Sequence, residues 1–293
     1  MILVSGAAGN DEYASVFARW VDDWENAAKR AAAELTQIGP QSQETSALDR
    51  LEKAIAAYAH ENPEPLWIVL LGHGTATAGD AKFNLQGHDV NVAKFEEWLK
   101  PIKRPVVVVC AFSTSGAWLK PLSAARRVIV TATRSGAESN FARFGGFLAR
   151  AIADPEADLD QDGQTSLLEA YILANRKTAD WYGQEGRLAT EHALLDDNAD
   201  GAGTPGDWFK GVRAVKKPRE GKPDGARAHQ IHLVRSKEEQ ALSAKAREER
   251  DALEQELSQL RDQKAATPEP EYLRKLEELM LKLARIYRDQ SSN

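Results

Sequence analysis

Two polar residues of a catalytic type follow buried strands of the predicted fold. His73 stands between two glycines directly after the apolar run 66–71, and Ser113 comes shortly after the apolar run 106–110. A histidine is the most frequent general base in enzymes, and a serine hydroxyl becomes a nucleophile when a base removes its proton. The pair predicts a hydrolytic site if the two strands are neighbours in one sheet.

The strands that carry these residues alternate with amphipathic helices. Strands are indicated at residues 2–4, 66–71, 106–110 and 128–131, and helices at residues 14–35, 46–60, 95–99, 141–153 and 167–181. Such alternation is typical of a mostly parallel sheet with helices on both faces, so we predict an α/β fold. Reactive groups collect at the carboxyl ends of the strands in these sheets, where His73 and Ser113 are both expected.

The order of the motifs resembles the caspase-like (clan CD) cysteine peptidases, and among them the legumain-like family C13. There a hydrophobic strand ends in His-Gly, as at residues 73–74, and the next ends in Cys-x-Ser-Gly, where residues 113–116 read Ser-Thr-Ser-Gly. Residues 3–9 and 128–139 are similar to the family's first strand and to the wall of its specificity pocket. The resemblance covers roughly residues 2–153 and implies a caspase-like fold and hydrolysis of peptide bonds.

The resemblance implies a role for each matched residue. Ser113 replaces the nucleophilic cysteine, His73 would be the base, and the amides of Gly74 and Ser113 would stabilise an oxyanion. The residues implied to bind substrate follow the strand at 128–131: Thr133, Arg134 and Glu138. Residues 13–17 contain no counterpart of the arginine that gives legumain-like enzymes their specificity, so a preference for asparagine is not carried over.

The serine leaves three alternatives open. Serine hydrolases usually orient their base with a carboxylate, and the sequence identifies none for His73. Ser113 is a working nucleophile, or the remnant, natural or engineered, of a peptidase site, or a loop serine without a function. A remnant would make the protein a pseudopeptidase whose cleft binds a peptide or protein. Cys110, the single cysteine, is expected to be a small buried hydrophobic residue rather than the nucleophile.

Glu191 and His192, which lie near the end of the predicted α/β domain, have two interpretations. They either orient groups of the site or form hydrogen bonds at the surface, and the sequence favours the surface.

An acidic segment, residues 158–169, has the spacing of a calcium-binding EF-hand loop, with Gly163 at its sharp turn. The predicted ligands are Asp158, Asp160, Asp162, the carbonyl of Gln164, Ser166 through a water, and Glu169. The alternative is that Ser166 and Glu169 only cap the following helix. We expect a structural Ca²⁺ site here.

A second acidic segment repeats the first half of this pattern. The repeated residues are Asp196, Asn198, Asp200 and Gly201, with Asp207 at the last position. Pro205 and Gly206 preclude the exit helix, so a second calcium site is not the favoured interpretation.

The composition divides the chain into three parts. Residues 1–209 form the α/β domain, and residues 210–235, rich in Lys, Pro and Gly, are predicted to be a flexible linker. Leucines at helical spacing, interrupted by Pro268 and Pro270, predict an antiparallel helical hairpin or coiled coil at residues 236–293. The hairpin either packs on its own chain, dimerises or holds a partner.

Charge and hydropathy exclude several classes of function. The net charge of −6 has mixed signs and no basic face, which argues against a nucleic-acid partner. No apolar stretch is long enough for a membrane span, and no signal peptide is present in the sequence given. The calcium motif and the resemblance both favour an exported protein whose signal is absent from this sequence.

Overall fold

The computed structural model describes residues 1–39 and 45–290. The chain divides into two compact units, Met1–Val234 and Arg235–Asn293. The first unit is a mixed α/β domain and the second unit is helical.

The strands of the first unit are β1 (Ile2–Ser5), β2 (Thr36–Ile38), β3 (Leu66–Gly72), β4 (Gly74–Thr77), β5 (Asp80–Phe83), β6 (Val90–Asn91), β7 (Val106–Phe112), β8 (Arg127–Thr131), β9 (Leu194–Asp196), β10 (Thr204–Pro205), β11 (Phe209–Lys210) and β12 (Arg213–Ala214). Its α-helices are α1 (Asp11–Arg30), α2 (Ala47–Ala57), α3 (Val92–Leu99), α4 (Gly116–Leu122), α5 (Phe144–Ala151), α6 (Leu167–Gln184) and α7 (Ala226–His229).

The main sheet has seven strands in the order β10-β9-β8-β7-β3-β1-β2. Five neighbouring strands of this sheet, β8, β7, β3, β1 and β2, are parallel. β9 and β10 add an antiparallel edge beside β8. Every residue of β3 and β7 is buried, because these strands lie at the centre of a sheet with both faces covered. The predicted fold class, a mostly parallel α/β sheet with C-terminal helices, is confirmed.

Alternate residues of the central strands point to two separate cores. Val69 and Leu71 of β3 belong to the core beneath α1, α5 and α6, whereas Ile68 and Leu70 belong to the core beneath α2, α3 and α4. Burial of each such side chain stabilises the fold by about 1.5–3 kcal/mol. Packing on both faces therefore holds β3 and β7 in place, and with them the strand ends that precede His73 and Ser113.

The first helix ends earlier than the predicted range 14–35. Asn10 caps its start by accepting a hydrogen bond from the Tyr13 amide, and α1 stops at Arg30. Ala32 has a φ of 49°, which turns the chain so that β2 can pair with the edge of β1. Pairing with a free sheet edge therefore overrides the helical propensity of the alanine-rich segment.

A small three-stranded sheet made of β4, β5 and β6 follows His73 directly. Sequence analysis did not predict it, because its strands are short and only partly buried. Phe83 of β5 lies fully buried against Gly6 and Gly72. This small sheet therefore holds both glycine turns at the edge of the main sheet.

Residues 210–235, predicted to be a flexible linker, contain the end of β11 and all of β12 and α7. Ala228 and Leu233 of this segment are buried in the first unit. Its last part therefore packs as a component of the α/β domain.

The second unit contains α8 (Lys237–Ala241), α9 (Ala244–Asp262) and α10 (Glu269–Gln290). An apolar cluster joins the last two helices through Leu257, Leu260, Tyr272, Leu279 and Leu283. Glu239 of α8 and Arg250 of α9 form a buried ion pair. Over residues 1–39 and 45–290, no helix combines the length and the hydropathy that a membrane crossing requires.

Candidate functional site

His73 and Ser113 leave the sheet side by side. β3 and β7 are parallel neighbours, and Gly72 at the end of β3 pairs with Phe112 at the end of β7. The next residue on each strand is the predicted base or the predicted nucleophile. The sheet therefore brings the two residues to the same edge.

The Ser113 hydroxyl is held by the peptide that follows His73. Its Oγ accepts a hydrogen bond from the Gly74 amide at 3.1 Å and donates one to the Gly74 carbonyl oxygen at 3.3 Å. Ser113 is only 2% exposed. A side chain at position 74 would collide with this arrangement, because a Cβ there would lie 2.5 Å from the Ser113 carbonyl oxygen.

The imidazole of His73 lies among aromatic rings. Its centroid is 4.8 Å from that of Tyr13, 5.3 Å from that of Phe17 and 6.0 Å from that of Phe141. Burial lowers the pKa of His73 below its ordinary value, and a hydrogen bond to the Ala8 backbone opposes this only in part. The ring is therefore neutral at neutral pH, which is the form that accepts a proton.

No carboxylate is hydrogen-bonded to the His73 ring within residues 1–39 and 45–290, and the Ala8 backbone is its hydrogen-bonding partner instead. A backbone carbonyl orients an imidazole and fixes its tautomer as a carboxylate does. It stabilises a protonated ring less, because it carries no full charge.

The turn after Ser113 is fastened to the loop that follows β8. Thr114 has a φ of 65°, and its amide donates a hydrogen bond to the Glu138 carbonyl oxygen at 2.8 Å. The Ser115 Oγ accepts hydrogen bonds from the amides of Ala132 and Thr133. The backbone position of Ser113 is therefore set by the neighbouring strand as well as by its own.

The three residues predicted to bind substrate have different surroundings. Thr133 is fully buried, and its Oγ1 accepts a hydrogen bond from the Gly116 amide at 2.8 Å, so its side chain supports the turn. Arg134 is exposed, and its Nε lies 3.0 Å from Oε1 of Glu138. Of the three side chains, that of Arg134 is the most accessible to a ligand.

The Glu138 carboxylate also binds His192, which is distant from it in sequence. Its Oε1 lies 2.6 Å from Nδ1 of His192, and its Oε2 accepts a hydrogen bond from the His192 amide. The neighbouring Glu191 is buried rather than on the surface, and its carboxylate accepts hydrogen bonds from the amides of Arg143 and Phe144 at the start of α5. Burial raises the pKa of Glu191. Neither residue is hydrogen-bonded to His73.

A cavity of about 400 Å³ opens beside the turn that carries Ser113. Its lining includes Gly116, Lys120, Arg134, Thr204, Trp208 and Arg219. Sequence analysis did not select Lys120, Trp208 or Arg219, because they come from three separate parts of the chain. Only the folded chain places them around one space.

The first acidic segment, residues 158–169, forms a tight loop closed by hydrogen bonds between its own residues. Oxygens of Asp158, Asp160 and Asp162 lie within 4.8 Å of one another, which suits the oxygen ligands of Ca²⁺. Asp158 accepts hydrogen bonds from the amides of Asp162 and Gly163. Burial raises the pKa of Asp162, with the Asp160 carboxylate also raising it.

Glu169 has an additional role in this loop. It is buried and forms the capping box with Ser166, and it also accepts hydrogen bonds from the Leu159 and Asp160 amides. A short 3₁₀ helix, Pro155–Ala157, precedes the loop where an EF-hand has an α-helix. Binding of calcium through Glu169 would require its carboxylate to exchange these bonds, so calcium stays a prediction.

In the second acidic segment, the carboxylates lie close to Asp224, a residue that the sequence pattern did not include. Oxygens of Asp196, Asp200 and Asp224 lie within 4.8 Å of one another. Asp224 is buried, and it accepts hydrogen bonds from the Asp197 amide at 2.9 Å and the Thr204 hydroxyl at 2.7 Å. Burial, with the Asp197 carboxylate next in size, raises the pKa of Asp224 to about 8. Asp207, predicted at the last position, pairs instead with Lys216.

Cys110 is fully buried in β7 and has a free thiol. Burial raises its pKa far above the ordinary range. A thiol in this condition is a poor nucleophile, which agrees with its expected role as a small hydrophobic residue.

Fold and site together define a mixed α/β protein with histidine and serine at the carboxyl edge of adjacent parallel strands. No protein-family model matches the chain, and no curated protein matches it. Among solved structures, it is similar to the Drosophila initiator caspase Dronc, with a TM-score of 0.43 and 14% identity over 70% of this chain and 80% of that chain. This degree of likeness assigns neither a family nor an activity.

Proposed function

We propose that the chain is a caspase-like peptidase homologue of the legumain-like type, with Ser113 at the nucleophile position and His73 as its base. The observation that carries the proposal is the pair of hydrogen bonds between Ser113 Oγ and the Gly74 peptide, directly beside His73. They support the proposal because Ser113, His73 and the Gly74 amide share one edge of the sheet, where α/β folds carry their sites.

The proposed reaction begins when the Ser113 oxygen attacks the carbonyl carbon of a bound peptide. His73, kept neutral by burial, accepts the hydroxyl proton as the new C–O bond forms. Once Oγ has moved to the substrate, the Gly74 amide is released to donate to the oxyanion, together with the Ser113 amide. The C–N bond then breaks, the leaving amine takes the proton from His73, and water hydrolyses the acyl-enzyme.

A second function is favoured by the burial of the nucleophile position. Ser113 is 2% exposed and its hydroxyl is already satisfied by Gly74, which is also what an inactive site would look like. In that case the protein is a pseudopeptidase that holds a peptide or protein without cutting it. The helices of the second unit would then recruit a partner.

A fluorophosphonate probe separates the two functions. If the hydrolase proposal holds, the probe labels Ser113, and labelling falls by about a hundredfold in His73→Ala, because general-base catalysis contributes on this scale. His88→Ala is the matched control, since it removes an exposed imidazole away from the site, and it should label like the unaltered protein. Absence of labelling together with absence of cleavage of a peptide library would refute the hydrolase and favour the pseudopeptidase.

A further inference from the structure

Helix α10 of the second unit exposes a concentration of large hydrophobic side chains. In the part of the chain that the structure describes, seven such side chains are exposed, and four of them belong to this helix: Leu273, Met280, Leu281 and Tyr287. Single exposed apolar residues are normal on a protein surface, whereas a group of them on one helix indicates a surface that another molecule covers.

Three of these side chains lie in one line along α10. Leu273, Met280 and Tyr287 follow one another at intervals of seven residues, which corresponds to about two turns of helix. Ala284, which is also exposed, lies on the same side. These four residues are named the outer stripe here. Their three large side chains are each about half exposed, at 52%, 49% and 47%.

The outer stripe is separate from the apolar residues that join α10 to α9. Tyr272 and Leu279 of α10 belong to the cluster shared with Leu257 and Leu260 of α9. Each of the two α10 residues directly precedes a residue of the outer stripe, so the two stripes differ by about a quarter of a turn around the helix. Packing on α9 therefore accounts for the inner stripe only, and a second apolar stripe is typical of a helix in a larger bundle.

The opposite side of α10 is charged and forms ion pairs within the helix. Lys275 Nζ lies 2.7 Å from Glu271 Oε1, and Lys282 Nζ lies 3.0 Å from Glu278 Oε1. Pairs of this kind support a solvent-exposed helix face. A partner that buries apolar surface would therefore contact the outer stripe rather than the charged side.

The charges of α10 are distributed unevenly along its length. Residues 269–278 contain four glutamates and two cations, whereas residues 282–289 contain three cations and one aspartate. The first part of the helix is thus net negative and the last part is net positive. Two antiparallel copies would place opposite charges beside each other at both ends, whereas two parallel copies would place like charges together. The helix is therefore complementary to an antiparallel copy of itself.

We propose that the outer stripe joins two copies of this chain through antiparallel α10 helices, so that two α9–α10 hairpins form a four-helix bundle. Residues 273 and 287 are equally distant in sequence from Met280, so a two-fold axis beside Met280 brings Leu273 of each copy against Tyr287 of the other. Methionine suits the central position, because its flexible side chain adapts to an identical neighbour. Dimerisation does not depend on the proposed hydrolysis, since the stripe belongs to the second unit.

The mass of the full chain in solution tests the dimer. Sedimentation velocity over about 1–200 µM protein should show a change from monomer to dimer, with a dissociation constant of about 10 µM, because the contact is small. Met280→Glu should weaken the dimer at least tenfold, since it places two carboxylates against each other at the axis.

Leu188→Glu is the matched control, because it changes an exposed leucine outside α10 in the same way. It should leave the dimer unchanged, and both variants should keep the helix content that circular dichroism measures. A monomer at every concentration would overturn the proposal. So would equal weakening of the dimer by the two variants.

Disulfide cross-linking tests the orientation of the helices. Under mild oxidation, Met280→Cys should form a covalent dimer, because its two copies meet at the axis. Leu273→Cys alone should not, since its two copies would lie about 21 Å apart along the helices, too far for a disulfide. A mixture of Leu273→Cys and Tyr287→Cys should cross-link, and the buried Cys110 should take no part. Efficient cross-linking of Leu273→Cys alone, or none in Met280→Cys, would overturn the antiparallel dimer.

Discussion

Ser113 and Gly74 are joined by two hydrogen bonds, one in each direction, between a side-chain hydroxyl and a backbone peptide. The contact spans 39 residues of sequence and links the ends of the two central strands. It holds the hydroxyl against the backbone of the residue that follows His73 and leaves Ser113 only 2% exposed to solvent. The proposed hydrolysis therefore requires a bound peptide to displace the Gly74 contact from Ser113 Oγ.

Ser113→Cys tests access to the nucleophile position. A thiol ionises near neutral pH far more readily than a hydroxyl, so the variant should react with iodoacetamide at least tenfold faster than the unaltered protein. The unaltered protein is its own control, because its single cysteine, Cys110, is fully buried. Intact mass measured over time reports the reaction. Equal rates would show that position 113 is closed to reagents.

Gly74→Ala should destabilise the first unit. A methyl group there would lie 2.5 Å from the Ser113 carbonyl oxygen and 2.9 Å from that of Lys82, so the strand ends would have to separate. We expect a loss of about 2–3 kcal/mol in the free energy of unfolding, measured by urea titration. Gly183→Ala in α6, which has open space around it, should be neutral or stabilising. Similar losses in both variants would contradict this assignment.

Calcium should raise the melting temperature if the acidic loop at residues 158–169 is a metal site. A ligand at a hundred times its dissociation constant stabilises by about 2.7 kcal/mol, which corresponds to a rise of several degrees here. Asp162→Asn should remove most of this rise, because one of three clustered carboxylates is lost. Asp22→Asn on the exposed face of α1 is the control. No rise in millimolar calcium would exclude the site.

Asp224 should make the first unit less stable as pH rises. Its pKa is about 8 in the folded chain against an ordinary 3.8, so the folded state holds a proton that the unfolded state has lost. The stabilisation is complete below pH 3.8 and is lost as pH rises towards 8. Asp224→Asn keeps the amide contacts without a proton to lose, and its stability should vary less with pH.

Urea titrations near pH 5 and near pH 8, with chelator present, measure this difference, which should be about 4 kcal/mol for the unaltered protein. Asp207→Asn, which alters an exposed carboxylate paired with Lys216, should keep the full pH dependence. An identical pH dependence in Asp224→Asn and the unaltered protein would refute the role of Asp224.

The sequence by itself determined the central strands and the residues at their ends. The runs at 66–71 and 106–110 are short and apolar throughout, which is typical of a strand buried on both faces, and His73 and Ser113 each follow within three residues. The acidic loop was also predictable, because its hydrogen bonds join residues that are close in sequence. Patterns within a short stretch of sequence therefore predict the contacts made within that stretch.

Tertiary structure alone decided the contacts between distant segments. The hydrogen bonds between Ser113 and Gly74 join residues more than thirty positions apart, and so does the cavity that Lys120 and Arg219 both line. Asp224 lies near Asp196, which is slightly closer to it in sequence. Such contacts depend on the order and register of strands, which hydrophobic periodicity does not encode. For this reason the sequence predicted which residues stand at the edge of the sheet, and only the fold determined what each of them touches.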